Sequence, residues 1–215
     1  MRSVQQHYHL ALWVTGHRVE GNWAHPDEES SFFELKAHVE NVLRRVGLQA
    51  GQVLTEASDN NIFDTGLRMK TRGGKVLVDM GIVNHHVLRR FDIEQPVYYA
   101  EIDWKERRKA TRKNSLLFQE LSKYPAVSRD LALLVDANVE FAQIEQIARQ
   151  TEKKLLKQVV LFDVYQGKNL PEGKKSYAVN FILQDESRTL TDKAIEAIMQ
   201  KLMKNLTTKL HAELR

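Results

Sequence analysis

The sequence predicts an α+β protein in two units: an antiparallel sheet with one long helix, then a βαββαβ unit. Three patterns carry that prediction. Period-two alternation marks strands in both halves. A 3.6-residue period marks one long helix in the first half and two helices in the second. A basic run with little apolar periodicity, followed by Pro125, separates the halves.

The first unit opens with a strand over 9–15, where Leu10, Leu12 and Val14 alternate with other residues. A polar loop follows through Gly21 and Pro26. Ser31 and Glu34 have capping-box spacing. Behind them Phe32, Leu35, Val39, Val42, Leu43 and Val46 recur at helical spacing, and Gly47 ends the helix. Segments 66–70 and 75–83 flank Thr71-Arg72-Gly73-Gly74 and predict a hairpin. A short helical turn follows over 85–91, then a strand over 97–103. The run holding Lys105, Arg107, Arg108, Lys109, Arg112 and Lys113 reads as a solvated linker or an exposed helix. The boundary lies between Lys105 and Pro125, and the expected division is 1–112, a linker over 113–121, and 122–215.

The second unit has a clearer order. Strands are predicted over 129–135, 159–165 and 176–184, with a short last strand in 212–215. A helix over 140–150 carries Phe141, Ile144, Ile147 and Ala148 on one face. A second, over 192–209, has Thr191 as its N-cap and buries Ile195, Ile198, Met199, Leu202, Leu206 and Leu210. The order β-α-β-β-α-β is that of a ferredoxin-like domain.

Composition narrows the function. The 215 residues suit one to two domains, and 32 basic against 28 acidic residues leave a net charge of +4. There is no cysteine, which excludes disulfides, thiol nucleophiles and cysteine metal sites. The longest apolar runs are far shorter than the roughly 20 residues of a membrane span. A soluble, cytoplasmic protein without a membrane role is expected. Eight histidines invite a metal hypothesis, but His85 and His86 are adjacent and no nearby carboxylate or cysteine completes a set. No metal site is expected. The turn Thr71–Lys75 lacks P-loop spacing, and a hairpin turn is the better account. The stretch 175–181 faintly resembles an RNA-recognition octamer, yet Tyr177 and Phe181 belong to the core set. No nucleophile–base–carboxylate set can be identified, so no catalytic residue is assigned.

A βαββαβ sheet covers one face with helices and leaves the other open. Strand parity sorts side chains between the two faces. Val160, Phe162 and Val164 form an apolar set expected against the helices, which leaves Asp163 and Tyr165 on the open face. Tyr177, Val179, Phe181 and Leu183 likewise face inward, with Ser176, Ala178 and Asn180 outward. Leu131, Leu133 and Val135 suit the core, with Ala132 outward. The open face thus gathers a phenol ring, a carboxylate, a hydroxyl and a small residue, near Lys168, Lys174 and Lys175. Such a set can stack an unpaired base, accept hydrogen bonds from its N–H groups and meet phosphates. On parity alone, the plainer account is that Tyr165 and Asp163 cover an exposed sheet or pack on the first unit.

Four segments sharpen this. They are 122–133 (SKYPAVSRDLAL), 161–167 (LFDVYQG), 170–176 (LPEGKKS) and 188–192 (RTLTD). In this order they resemble the ferredoxin-fold anticodon-binding domain that ends the bacterial phenylalanyl-tRNA synthetase β subunit. Segments 31–36, 81–93 and 96–103 of the first unit resemble the second half of that family's non-catalytic synthetase-like module, although Asn84-His85-His86 departs from its pattern. The resemblance implies that Asp163, Tyr165 and Ser176 hold the first anticodon base, a guanine. It places Ala132 beside that base and Arg215 at a terminal-arginine position, while Lys168, Lys174 and Lys175 stay candidate phosphate contacts by their nearness to the open face alone. It implies phenylalanine tRNA and a catalytic α subunit, in an α2β2 tetramer, as partners. ATP and magnesium would serve the holoenzyme, with no cofactor in this chain. No class II ATP-binding signature is visible, in keeping with a non-catalytic module. Because the family's β subunit is several times longer, a carboxy-terminal fragment is expected, lacking the amino-terminal tRNA-binding domain, the editing domain and the first half of the module. A ferredoxin-like protein-interaction module without RNA binding is the main alternative. A small-molecule sensor would need a ligand pocket that the sequence does not display.

Overall fold

The computed structural model describes residues 6–48, 50–112, 114 and 120–214. The expected linker over 113–121 lies mostly outside these residues, as do Lys113 and Arg215. The chain divides into two compact units, Met1–Phe118 and Gln119–Arg215.

In the first unit, β1 (His9–Thr15), β4 (Val53–Ala57), β5 (Phe63–Thr71), β6 (Val76–Val83) and β7 (Val97–Asp103) form an antiparallel sheet ordered β1-β7-β6-β5-β4. A separate two-stranded ribbon pairs β2 (His17–Val19) with β3 (Glu28–Glu29). Helix α1 (Phe32–Arg45) buries Leu35, Val39 and Leu43 in a core that includes Val78, Met80, Ala100 and Ile102. Ser31 caps it by accepting from the Glu34 N–H at 3.3 Å. Gly47, at φ +85°, ends it: the Gly47 and Leu48 N–H groups close onto the carbonyls of Arg44 and Leu43. The ribbon and β4 have no counterpart in the sequence reading. Four of the five β4 residues are exposed, so this edge strand has no buried face to impose an alternating pattern.

The short helical turn is α2 (His85–Arg89). The basic run resolves as a half-buried helix and not an exposed one, α3 (Trp104–Thr111), with Ala110 packed on the core and the Asp103 carboxylate capping the Glu106 N–H at 2.8 Å. It buries no residue completely, and Arg107 stacks its guanidinium 4.2 Å from the Trp104 ring centroid.

The second unit contains β8 (Val127–Asp136), α4 (Phe141–Thr151), β9 (Leu156–Tyr165), β10 (Lys174–Leu183), α5 (Asp192–Leu210) and β11 (Glu213–Leu214). The sheet order is β11-β8-β10-β9 with every pair antiparallel, which is the ferredoxin-like topology. The α+β reading therefore holds for both units. Leu133, Val135, Val179, Phe181 and Leu183 pack against Ile144, Ile147 and Ala148 of α4 and Ile195, Ile198, Leu202 and Leu206 of α5. Each such large side chain contributes about 1.5–3 kcal/mol when fully removed from water. Asn205 of α5 donates to the Thr151 hydroxyl at 2.8 Å and so ties the two helices together. Thr191 caps α5 by accepting from the Ala194 N–H.

One strand departs from the expected parity. Val159 is buried and Leu161 packs on the core, whereas Phe162 is 58% exposed and Val164 is 47% exposed. The set Val160, Phe162 and Val164 does not form the inner face. The cause is a register shift. Leu161 pairs with Val179, and Asp163 pairs with the preceding residue, Ala178. Phe162 is left without a partner as the extra residue of a β-bulge.

Candidate nucleic-acid interface

The bulge sets the geometry of the open face. Upstream of Phe162, the odd-numbered Val159 and Leu161 face the helices. Downstream, Val164 pairs with inward-facing Tyr177, and Asp163 and Tyr165 turn outward. Tyr165, Ser176 and Leu134 form one row across β9, β10 and β8. Asp163, Ala178 and Ala132 form the next. Directly opposed residues in adjacent strands hold their Cβ atoms about 4.5–5.5 Å apart, so both rows are contiguous surfaces.

Of these residues Ala132, Asp163, Tyr165, Ser176 and Ala178, together with Asn169 from the β9–β10 loop, line a shallow cavity of about 570 Å³. Ala132 and Ala178 supply a flat floor with no side chain beyond Cβ. The Tyr165 residue is 37% exposed. Ser176 is only 6% exposed, and its hydroxyl has no hydrogen-bond partner among the described residues. The Asp163 carboxylate also has neither an ion pair nor a hydrogen bond among them. A planar ring can rest on the alanines, and the free carboxylate and hydroxyl can meet its polar edge.

Four of the sequence-selected residues thus converge: Ala132, Asp163, Tyr165 and Ser176. Arg215 lies outside the described residues. The lysines divide. Lys168 is exposed in the loop, with no ion pair among the described residues. Lys174 is held by Asp136 at 3.1 Å and Glu213 at 3.8 Å. Lys175 departs from its expected place as a phosphate contact. It pairs with buried Val135, is 8% exposed, and points its ammonium 4.8 Å from the Tyr177 ring centroid. Parity explains this: Ser176 faces out, so its neighbour faces in.

Two lining residues lay outside the sequence selection. Ala178 was legible, since it shares parity with Ser176. Asn169 was not, because an irregular loop has no period that would aim its side chain. Among the described residues no group of three or more His, Cys, Asp or Glu could hold a metal. No helix among them is long and apolar enough to cross a membrane.

An antiparallel sheet with its helices packed against one side and a polar, alanine-floored cavity on the other defines an open-faced ferredoxin-like domain. Residues 122–215 match the family described as ferredoxin-fold anticodon binding domain, and residues 2–104 match the phenylalanyl tRNA synthetase beta chain CLM domain. Among similar proteins, the phenylalanine–tRNA ligase beta subunit of Bacteroides thetaiotaomicron is 55% identical over 215 residues, covering 100% of this chain and 26% of its own length. That of Porphyromonas gingivalis is 50% identical over 206 residues, 96% of this chain and 25% of its own. That of Syntrophotalea carbinolica is 36% identical over 209 residues, 97% of this chain and 26% of its own. The chain belongs to the phenylalanyl-tRNA synthetase β-subunit family. It spans about a quarter of the length of these relatives.

Proposed function

We propose that this chain reads the anticodon of phenylalanine tRNA as part of a phenylalanine–tRNA ligase β subunit. The observation that carries the reading is the convergence of a free carboxylate, a free hydroxyl and a phenol ring over two alanines, inside the segment similar to anticodon binding domains. Guanine as the first anticodon base lies on Ala132 and Ala178 and stacks on Tyr165. Asp163 accepts from the base N1–H and N2–H groups, and the Ser176 hydroxyl supplies a further hydrogen bond. Lys168 meets phosphate from the rim, and Arg215 supplies the terminal arginine that the family resemblance implies.

In this reading the first unit, 1–112, is part of a non-catalytic synthetase-like domain, joined through 113–121 to the anticodon-binding domain, 122–215. The partners are phenylalanine tRNA and a catalytic α subunit in an α2β2 assembly in the cytoplasm. ATP and magnesium serve the assembled enzyme, and no step is assigned to them in this chain, whose described residues offer no metal-holding set.

The test is an NMR titration of the chain with the anticodon stem-loop of phenylalanine tRNA, against a control carrying adenine at the first anticodon base. Shifts clustered at Asp163, Tyr165 and Ser176, and weaker with the control, support guanine readout. Equal shifts spread over the lysines would reduce the interaction to phosphate contact. No RNA-dependent shift at all would favour a protein-interaction module.

A further inference from the structure

Gly167 stands two residues beyond Tyr165, where β9 enters the loop that carries Asn169. A Cβ built on Gly167 would lie 2.5 Å from the Tyr165 hydroxyl oxygen, 2.7 Å from its Cζ and 3.2 Å from its Cε2. Non-bonded carbon atoms sit comfortably about 3.5–4.0 Å apart. The tyrosine ring therefore occupies the space that a side chain at 167 would fill. Gly167 is not among the glycines with positive φ, so its backbone is open to any residue and the requirement is one of space.

We infer that Gly167 is a positioning residue for the base cavity. Its missing side chain lets the Tyr165 ring fold back over the loop and hold its stacking orientation beside Asp163 and Ser176. The backbone of Tyr165 is fixed by pairing with Ser176. A methyl group at 167 therefore displaces the ring by rotation about its side-chain bonds, not by moving the strand. The inference rests on the proposed use of the cavity as a base site, and it deepens that reading by naming what orients its aromatic wall.

The experiment uses the 215-residue chain with 13C-labelled tyrosine. In the wild type, Tyr165 ring protons show cross-relaxation to the Gly167 α-protons. In Gly167→Ala the Tyr165 ring resonances shift while the melting temperature stays within a few degrees of wild type. Anticodon stem-loop binding weakens by roughly tenfold, the scale of a compromised base stack. In a Tyr165→Ala background the same substitution adds no further loss. Unchanged ring resonances, or the same loss with and without Tyr165, would overturn the inference. If the wild-type chain shows no preference for the guanine stem-loop, the base-binding reading fails on its own. The ring resonances still decide whether Gly167 sets the position of Tyr165.

Discussion

Leu161 and Asp163 are two residues apart on one strand yet face opposite sides of the sheet. Regular pleating would put them on the same side. The unpaired Phe162 between them reverses the alternation, so Leu161 reaches the core and Asp163 reaches the open face. A bulged, exposed phenylalanine carries little packing energy. Phe162→Ala should therefore change the free energy of unfolding by less than about 1 kcal/mol. A core phenylalanine would cost about 3–5 kcal/mol. Urea unfolding separates the two, and a loss in the larger range would return Phe162 to the core and remove the bulge.

Asp163 and Tyr165 act on different parts of a bound base, so their variants should fail differently. Tyr165→Ala removes the stack and should weaken stem-loop binding by about 1–3 kcal/mol whichever base comes first. Asp163→Ala should mainly erase the preference for guanine over adenine. In the assembled ligase both should lower aminoacylation efficiency through tRNA while phenylalanine activation stays nearly intact. Parallel loss of activation and aminoacylation would argue against an anticodon role.

The fold was largely legible because its elements obey strong periods. The α5 stripe Ile195, Ile198, Leu202 and Leu206, the Thr191 cap and the inner set of β10 all come from regular spacing around one core. The inner face of β9 escapes the alternating pattern because a bulge inserts one residue without any signature in the residue string. Asp163 and Tyr165 still land outward, since both lie beyond the insertion. Nearness in sequence puts Lys175 beside the open face, whereas its own parity turns it inward, where it is 8% exposed. Asn169 reaches the cavity through a loop whose path depends on tertiary packing.

Lys168 and Lys175 should part ways in salt. Lys168 is exposed beside the cavity, so Lys168→Ala should reduce the salt dependence of stem-loop binding by about one phosphate contact, roughly 0.7–0.9 in log–log slope. Lys175 is buried against Tyr177, so Lys175→Ala should leave that slope unchanged and lower the melting temperature through lost side-chain packing and its cation–π contact. Binding measured across a salt series, with melting curves for both variants, checks the pair. A reduced slope for Lys175→Ala would restore it as a phosphate contact.

Asp185, just after β10, has its carboxyl held below the usual carboxylate range. The largest cause is the Ser187 hydroxyl donating at 2.6 Å. The Ser187 N–H at 2.9 Å follows, with the Arg188 guanidinium at 3.2 Å adding to it. A depressed folded-state pKa stabilises the fold above the unfolded value, about 3.9, and that contribution is lost as pH falls through the folded-state value. Ser187→Ala should raise the Asp185 pKa, read from its carboxyl carbon by NMR. The variant should be less stable than wild type at neutral pH, and the difference should shrink on acidification as Asp185 protonates in both proteins. Asp185 is half-buried in the turn that leads into α5, and its three partners all lie in that turn, so the effect is local. An unchanged Asp185 titration in Ser187→Ala would show that the serine does not hold the carboxylate in its charged form.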